Sequence, residues 1–520
     1  VGRATPDGTR AYIAERQARG VALAGDAFRP LGRTGLSVSR IGYGTYRVFE
    51  DVEEHARTLL YAILHGTNLV DTSTNYTNGS SETLVGNVLR ALVESGGAAR
   101  EQVVIVTKAG YVQGANHTLL AQRERDGKPM EEVVRYGEGL WHCIHPDWLE
   151  EEIGRSLERL GVDALDVFLL HNPEYYLAHE RRKRSGRDIA DVRRTFYNRV
   201  TRAFARLEEV AGDGHIGFYG VSSNTLPAGV EHPDHVSLTL LLECARDAAR
   251  AVHGRPDMHR FAVVQLPFNL YEAGAFAEPD AADGRPVLEV AREAEIAVLA
   301  NRPLNAWDGA RLVRLAQYDS SPEPDDPASA IDGLASVEGE ISRQLRAWRL
   351  WDTLAVSSPT DLFFNIAETA RSELSRLGGR PEWIEAFERV LAPSIVASTA
   401  HVATAISDDR REAWAGLIRA YQQALQRFAT ALTDRVNRIE TEAKEPLRTA
   451  LAASLGDAAK GLTLGQMALH AVASVPGVTA VLCGMKRDAY VLEGTALLRL
   501  PDFPEPYAAF RAAAAAAAQT

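Results

Sequence analysis

Four side chains of this 520-residue chain have the types and the order needed to move a proton: Asp71, Tyr76, Lys108 and His171. A phenol is a weak acid, with an ordinary pKa of about 10, and becomes a useful donor or acceptor when neighbours shift it. Lys108 beside Tyr76 is expected to favour the ionised phenol and so lower its pKa. Asp71 is expected to keep Lys108 charged and in place, and His171 to donate a hydrogen bond to a substrate oxygen. Each has a blander reading when taken singly: a tyrosine packs, a lysine is a solvated charge, a histidine sits semi-buried and satisfied. The chemical reading requires a scaffold that gathers all four.

Such a scaffold is legible in the hydrophobic pattern. Short runs rich in Val, Ile and Leu predict strands at Val38 to Gly42, Asn68 to Asp71, Val103 to Lys108, Leu165 to Leu170, Ile216 to Val221, Ala262 to Leu266, Ala297 to Asn301 and Ala480 to Cys483. Helical periodicity follows each in turn, at Glu53 to His65, Glu82 to Glu94, Pro146 to Leu160, Arg194 to Gly212, Val236 to His253, Pro286 to Ala294, Leu464 to Val475 and Ala489 to Leu498. Alternating strands and helices predict a parallel α/β fold, and eight pairs close a (β/α)8 TIM barrel. An open doubly wound sheet is disfavoured because no G-x-G-x-x-G follows the first strand. In a barrel, polar residues at successive strand C-termini converge on one cavity, which is where Asp71, Lys108 and His171 fall.

One barrel needs roughly 250 residues, so this chain carries additions. Long gaps follow the third strand, the fourth strand and, largest, the seventh, all on the side where a barrel carries its site, so all three are expected to crowd its mouth. The boundaries read as an N-terminal extension (1–28), a first part of the barrel opening on a floor hairpin (29–304), a helical insertion (305–460), a last strand–helix unit with a phosphate-binding turn (461–500) and a C-terminal tail (501–520). Within the insertion, Trp414, Leu417, Ile418, Tyr421, Leu425, Phe428, Leu432, Val436 and Ile439 form one helical stripe, and Val337, Ile341, Leu345 and Trp348 a shorter one. Packing of these stripes on each other or the barrel is the first reading, a homo-oligomer or partner interface the second. Asp319 to Asp326 reads as a flexible lead into the insertion, and the Ala-rich tail as a surface helix or frayed end.

Composition narrows the function classes. A net charge of −12, from 57 basic and 69 acidic residues, disfavours nucleic acid and anionic membrane surfaces as partners. Three scattered cysteines, Cys143, Cys244 and Cys483, point to a reducing compartment. Residues 1–29 lack a signal-peptide pattern, and no run approaches the ~18–20 apolar residues needed to span a bilayer, so a cytoplasmic location is expected. His142-Cys143-Ile144-His145 lacks a second ligand pair, so no metal is expected. Arg181 to Arg184 reads as a solvated charge cluster, with anionic-substrate capture the minority reading.

Five segments carry a family resemblance. Arg29 to Thr45 is similar to the opening of aldo-keto reductases, Asp71 to Glu82 resembles their D-x-x-x-x-Y-x-x-G-x-S-E motif, and Gly477 to Arg487 resembles their last strand and phosphate-binding turn. Gly220-Val-Ser-Ser-Asn224 and Gln265-Leu-Pro-Phe-Asn269 resemble the family's carboxamide-binding strand ends. The resemblance covers Arg29 to Leu304 and Gly461 to about Leu498. It implies an NADP(H)-dependent oxidoreductase, with NAD(H) the alternative cofactor, acting on a small carbonyl, alcohol or sugar-like substrate. Asp71, Tyr76, Lys108 and His171 would then be its catalytic tetrad, with Tyr76 the general acid/base. Gly44, Thr45, Asp71, Ser222, Asn224, Gln265, Asn301, Pro303, Leu304, Gly484, Lys486 and Arg487 become the candidate cofactor contacts. Asn301 stands where the family commonly has an aromatic residue, Thr77 where a glycine follows the tyrosine, and Gly494 where an asparagine is usual. A redox-neutral epimerase or lyase and a nucleotide-sensing regulatory subunit are the alternative functions.

Overall fold

Eight parallel strands close into a barrel in chain order: β1 (Ile41–Gly44), β2 (Leu69–Asp71), β3 (Val104–Ala109), β4 (Leu165–His171), β5 (Ile216–Ser222), β6 (Phe261–Pro267), β7 (Ala297–Asn301) and β8 (Ala480–Cys483), with β8 pairing β1 and β4 pairing β5. The computed structural model describes residues 2–183, 186–308, 311–318, 320–321, 323, 325–350, 354, 364–373 and 379–518. The helices between strands are α1 (Glu53–Leu64), α2 (Ser80–Glu94), α3 (Pro146–Leu160), α4 (Ile189–Gly212), α5 (Leu238–His253), α6 (Val287–Glu293), α7 (Leu464–Ala473) and α8 (Asp488–Ala496). Every residue of β3, β4 and β6 is buried, as expected of strands covered on both faces.

Side chains alternate across a strand, so every second residue points inward. Leu69, Val104, Val106, Val167, Leu169, Val263, Ala297, Leu299, Ala480 and Leu482 belong to one buried cluster with Leu31, Leu36 and Val38. The last three come from the segment that closes the floor, where Phe28–Pro30 pairs antiparallel with Ser37–Ser39.

Here the first predicted strand needs correction. Val38 to Gly42 is not one strand: Ser37–Ser39 belongs to the floor hairpin and β1 starts at Ile41. The chain turns at Arg40, whose backbone N donates to the Ala27 carbonyl and whose buried guanidinium reaches Asp502 and the Leu497 carbonyl. Apolar residues on both sides of that turn make a single run in the sequence.

The gap after β3 holds a helix, Gly114–Arg125, and a three-stranded antiparallel sheet of Tyr111–Val112, Leu140–His142 and Val134–Gly137. The gap after β4 holds a helix, Tyr175–Lys183, and α4 begins at Ile189, one turn earlier than its periodicity predicts. Arg181 pairs with Asp234, while Arg184 lies outside the described residues. The N-terminal extension forms a helix, Pro6–Ala18, capped by Thr5. The Ala-rich tail forms another, Tyr507–Ala517, whose Phe510 is buried against Phe268 and Phe276.

Two compact units divide the chain, Val1–Leu315 with Ala450–Thr520, and Ala316–Thr449. In the second unit the stripe on the helix Arg411–Leu455 and the stripe on Pro327–Ala347 enter one core, with Leu334, Ile341, Leu345, Tyr421, Phe428 and Leu432 each at most 2% exposed. Ile439, at the end of the longer stripe, is 37% exposed. Of the predicted flexible lead, residues 319, 322 and 324 lie outside the described residues.

Candidate active site

The inward alternation that fills the barrel with aliphatic side chains ends on polar ones. Two residues beyond Leu69 comes Asp71; beyond Val106, Lys108; beyond Leu169, His171; beyond Val263, Gln265; beyond Leu299, Asn301. Five adjacent or near-adjacent strand ends therefore place polar groups on one side of the apolar layers.

Lys108 Nζ donates to both carboxylate oxygens of Asp71, at 2.9 Å each, and to the Thr72 carbonyl at 2.6 Å. An ammonium has three protons, and these contacts use all of them. Burial pulls the Lys108 ammonium below its ordinary pKa and pushes the Asp71 carboxyl above its own, and each is opposed by the partner's charge. Asp71 Oδ1 also accepts from Gln265 Nε2 at 2.7 Å. Gln265 Oε1 accepts from Ser222 Oγ at 3.1 Å and from Asn301 Nδ2 at 3.3 Å.

Tyr76 stands in a short 3-10 turn, Tyr76–Gly79, whose Thr77 and Asn78 have φ of 48° and 57°. Its ring lies 4.7 Å from Lys108 Nζ, and its centroid is 6.0 Å from that of His171 and 5.3 Å from that of Tyr46. Lys108 therefore meets the π face of the tyrosine and has no proton left for the hydroxyl. The expected lowering of the phenol pKa is overturned accordingly. Burial, joined by the charge of Asp71, holds the Tyr76 hydroxyl well above its ordinary value.

His171 is 7% exposed, and burial, then Lys108 and His142, hold its imidazole well below its ordinary pKa. Its Nδ1 lies 3.1 Å from Ser73 Oγ, and its backbone carbonyl meets His142 Nε2 at 2.7 Å. The Tyr111 ring packs edge-on against it at 4.7 Å, and the Tyr111 hydroxyl accepts from Asn172 Nδ2 at 2.7 Å.

The other candidates divide into two groups. Ser222, Gln265 and Asn301 form one network with Asp71. Thr45 is fully buried, its hydroxyl donating to the Asp71 carbonyl at 2.9 Å, and Gly44 lies against the Cys483 carbonyl. Pro303 is buried, and the Leu304 carbonyl accepts from Leu315 N. Asn224 is instead exposed, with its backbone N on Glu174 Oε1 at 2.8 Å, while Ser223 is the buried residue of that pair. Gly484, Lys486 and Arg487 lie between β8 and α8; Arg487 is the N-cap residue of α8, and a side chain added at Gly484 would meet open space.

The arrangement fits a nicotinamide nucleotide. Asn301 Oδ1 is buried without a hydrogen-bond partner among the described residues, an acceptor left open beside Ser222 and Gln265. A carboxamide can satisfy it, and the start of α8 offers backbone N–H groups and cations to phosphate. Among the described residues no three His, Cys, Asp or Glu side chains are grouped to hold a metal, and no helix is long and apolar enough to cross a membrane. His142 and Cys143 are instead committed to the His171 and Glu131 carbonyls.

Residues 40–311 match the model of the aldo/keto reductase family. The chain belongs to that family. It is 34% identical over 150 residues to the NADH-specific methylglyoxal reductase of Escherichia coli, an alignment covering 27% of this chain and 40% of that protein. It is 26% identical over 354 residues to the D-threo-aldose 1-dehydrogenase of a Pseudomonas species, covering 64% and 94%. The solved glycerol dehydrogenase of Gluconobacter oxydans is 15% identical, covering 95% of this chain and 96% of its own, with a TM-score of 0.46. The first of these alignments spans less than half of its relative's length.

Sequence reasoning missed Ser73, Tyr111, His142 and Glu174. Ser73 stands inside the Asp71 to Glu82 segment, and its position two residues after Asp71 was an available signal. His142 was visible only as half of a metal-like pair, and its contact with the His171 carbonyl needs the sheet after β3 to bring it back to β4.

Proposed function

We propose that this protein is a nicotinamide-dependent oxidoreductase that interconverts a small carbonyl compound and its alcohol, with Tyr76 as the general acid/base. The observation that carries the reading is the convergence of Tyr76, the buried Lys108–Asp71 pair and His171 on consecutive strand ends, beside the Ser222–Gln265–Asn301 network. NADP(H), with NAD(H) the alternative, supplies or accepts the hydride when bound. Ser222, Gln265 and Asn301 would hold its carboxamide, and Lys486 and Arg487 its phosphates.

The chain's own residues handle the proton. A phenol held well above its ordinary pKa is fully protonated at neutral pH, and it can still surrender its proton because an alkoxide is a stronger base than a phenolate. Lys108 over the ring face stabilises the negative charge left on Tyr76. Asp71 keeps Lys108 in position while using two of its three protons. In the oxidative direction the same hydroxyl receives the proton of the alcohol.

Tyr76→Phe keeps the ring, its contact with Lys108 and its packing, and removes the proton. Turnover of a panel of small aldehydes should fall by about 10²- to 10⁴-fold, while binding of NADPH or NADH, followed by nucleotide fluorescence, stays near that of the unmodified protein. Full turnover in the variant sinks the assignment. Comparison of the two nucleotides in the same titration decides the cofactor.

A further inference from the structure

The end of β5 carries Ser222, one of the three residues that would hold a nicotinamide carboxamide, and the chain leaving β4 grips that end at two points. Asn172 N donates to the Ser222 carbonyl at 2.6 Å, and Asn224 N donates to Oε1 of Glu174 at 2.8 Å. Between these points Ser223 is fully buried, with its backbone N on the Gln265 carbonyl at 3.0 Å. Glu174 is therefore packed against the backbone of the carboxamide strand end. The two residues from Ser222 to Asn224 span at most about 7 Å.

What Glu174 lacks is a counter-charge. Its Oε2 is buried without a hydrogen-bond partner, and its carboxyl forms no ion pair with a described residue. Around it stand Tyr111 from the sheet after β3, Tyr175 next in the chain, and Asp234 from the loop after β5, whose carboxylate Arg181 occupies. A buried carboxylate without a cation is costly. Burial, aided by Asp234, pushes the Glu174 carboxyl up to about 7, against the backbone N–H groups of Glu174 and Asn224 and the Ser223 hydroxyl. The group thus gains or loses its charge near neutral pH. A nicotinamide ring changes charge as well, being cationic when oxidised and neutral when reduced. The oxidised ring brings the counter-charge that Glu174 lacks, and the reduced ring does not. Between buried groups salt screens little of that attraction.

We propose that Glu174 makes the choice between oxidised and reduced nucleotide depend on pH: its carboxylate favours the cationic ring, and binding of the oxidised form drives the Glu174 proton off to solvent. The effect is reciprocal, since a proton on Glu174 weakens the oxidised nucleotide as much as that nucleotide weakens the proton. Glu174 acts as a positioning residue here, through its charge and its hold on Asn224, without touching substrate. The proposal rests on the oxidoreductase reading above.

The test is calorimetric binding of both members of a nucleotide pair, NADPH with NADP⁺ or NADH with NAD⁺, to the full chain at pH 6 and pH 8. The ratio of their dissociation constants cancels the titration of the phosphates, which both members share. From pH 6 to pH 8 that ratio should move about fivefold toward the oxidised member, and titrations in two buffers of different ionisation heat should show proton release when it binds near pH 7. Glu174→Gln keeps an acceptor for Asn224 and carries no charge, so its ratio should not move. A ratio independent of pH in the unmodified protein, or one that moves equally in the variant, overturns the proposal; a merely structural Glu174 would shift both constants together and leave their ratio alone. If the variant fails to fold, infrared difference spectra of the unmodified protein with ¹³C-labelled glutamate decide. Adding the oxidised nucleotide at pH 7 should convert a protonated glutamic acid to its carboxylate, and no such change overturns the proposal. If neither member of either pair binds, the oxidoreductase reading falls and this proposal with it, whereas binding without the pH linkage removes this proposal alone.

Discussion

Glu174 shows what a buried charge does to this protein away from its tetrad. It follows β4 by three residues, is 5% exposed, and its Oε1 accepts from the backbone N of Asn224. Burial pushes its carboxyl up from 4.5 to about 7. A folded-state pKa above the unfolded value means that the native state favours the protonated form. The stability contribution is complete below about pH 4.5 and is lost as pH rises through 7, a change of about 3 kcal/mol at most. Glu174→Gln keeps an acceptor for Asn224 and cannot ionise. In urea titrations the variant should match the unmodified protein at pH 5 and exceed it at pH 8; an equal difference at both values refutes the buried-acid account. Such groups are poorly legible in sequence. Glu174 was one more acid in a loop, and only the fold reveals that Asn224 and β5 close over it. Asp71, Tyr76, Lys108 and His171 were legible because residue type, order and strand ends coincided. Their hydrogen bonds were not, since the commitment of all three Lys108 protons depends on angstrom-scale placement.

Elements were legible wherever apolar periodicity was uninterrupted. Seven of the eight barrel strands, and the helices between them, overlap the predicted runs of Val, Ile and Leu, because strands buried on both faces admit little else. The break at Arg40 was hidden because the floor hairpin and β1 both need apolar residues and follow without a polar gap. The sheet after β3 was hidden for the opposite reason, since Val134–Gly137 and Leu140–His142 are short and mixed in character. Glycine carries element-scale information too. At Gly220 in β5 an added Cβ would lie 1.7 Å from the Val263 carbonyl oxygen of β6, where the β5–β6 register shifts. That neighbour is backbone held between β5 and β7, so it has little room to yield. Gly220→Ala should cost at least about 3 kcal/mol. Gly154, inside α3, has nothing within 4 Å of such a Cβ, so Gly154→Ala should stabilise by up to about 1 kcal/mol through helix propensity. Chemical denaturation of the pair checks both signs, and a tolerated Gly220→Ala refutes the close approach.

At the scale of the molecule, the two units have separate interiors. The residues of the helical core, from Ile331 to Val436, all belong to Ala316–Thr449, and those that fill the barrel all belong to the other unit. The stripes of the helical unit were legible as helices that need a partner face, and the structure supplies that face from within the same unit. The cut between units was less legible, because the hairpin of Asn305–Asp308 and Arg311–Arg314 reads as insertion yet belongs with the barrel. Separate cores predict separable folding. Replacing Ala316–Thr449 by a flexible Gly/Ser linker leaves every barrel strand, the Lys108–Asp71 pair and the β8–α8 turn in the chain. The shortened protein should melt cooperatively by circular dichroism and bind the nicotinamide nucleotide as the full chain does, because no candidate contact for that nucleotide is removed. Loss of cooperative melting shows that the barrel depends on the helices for stability.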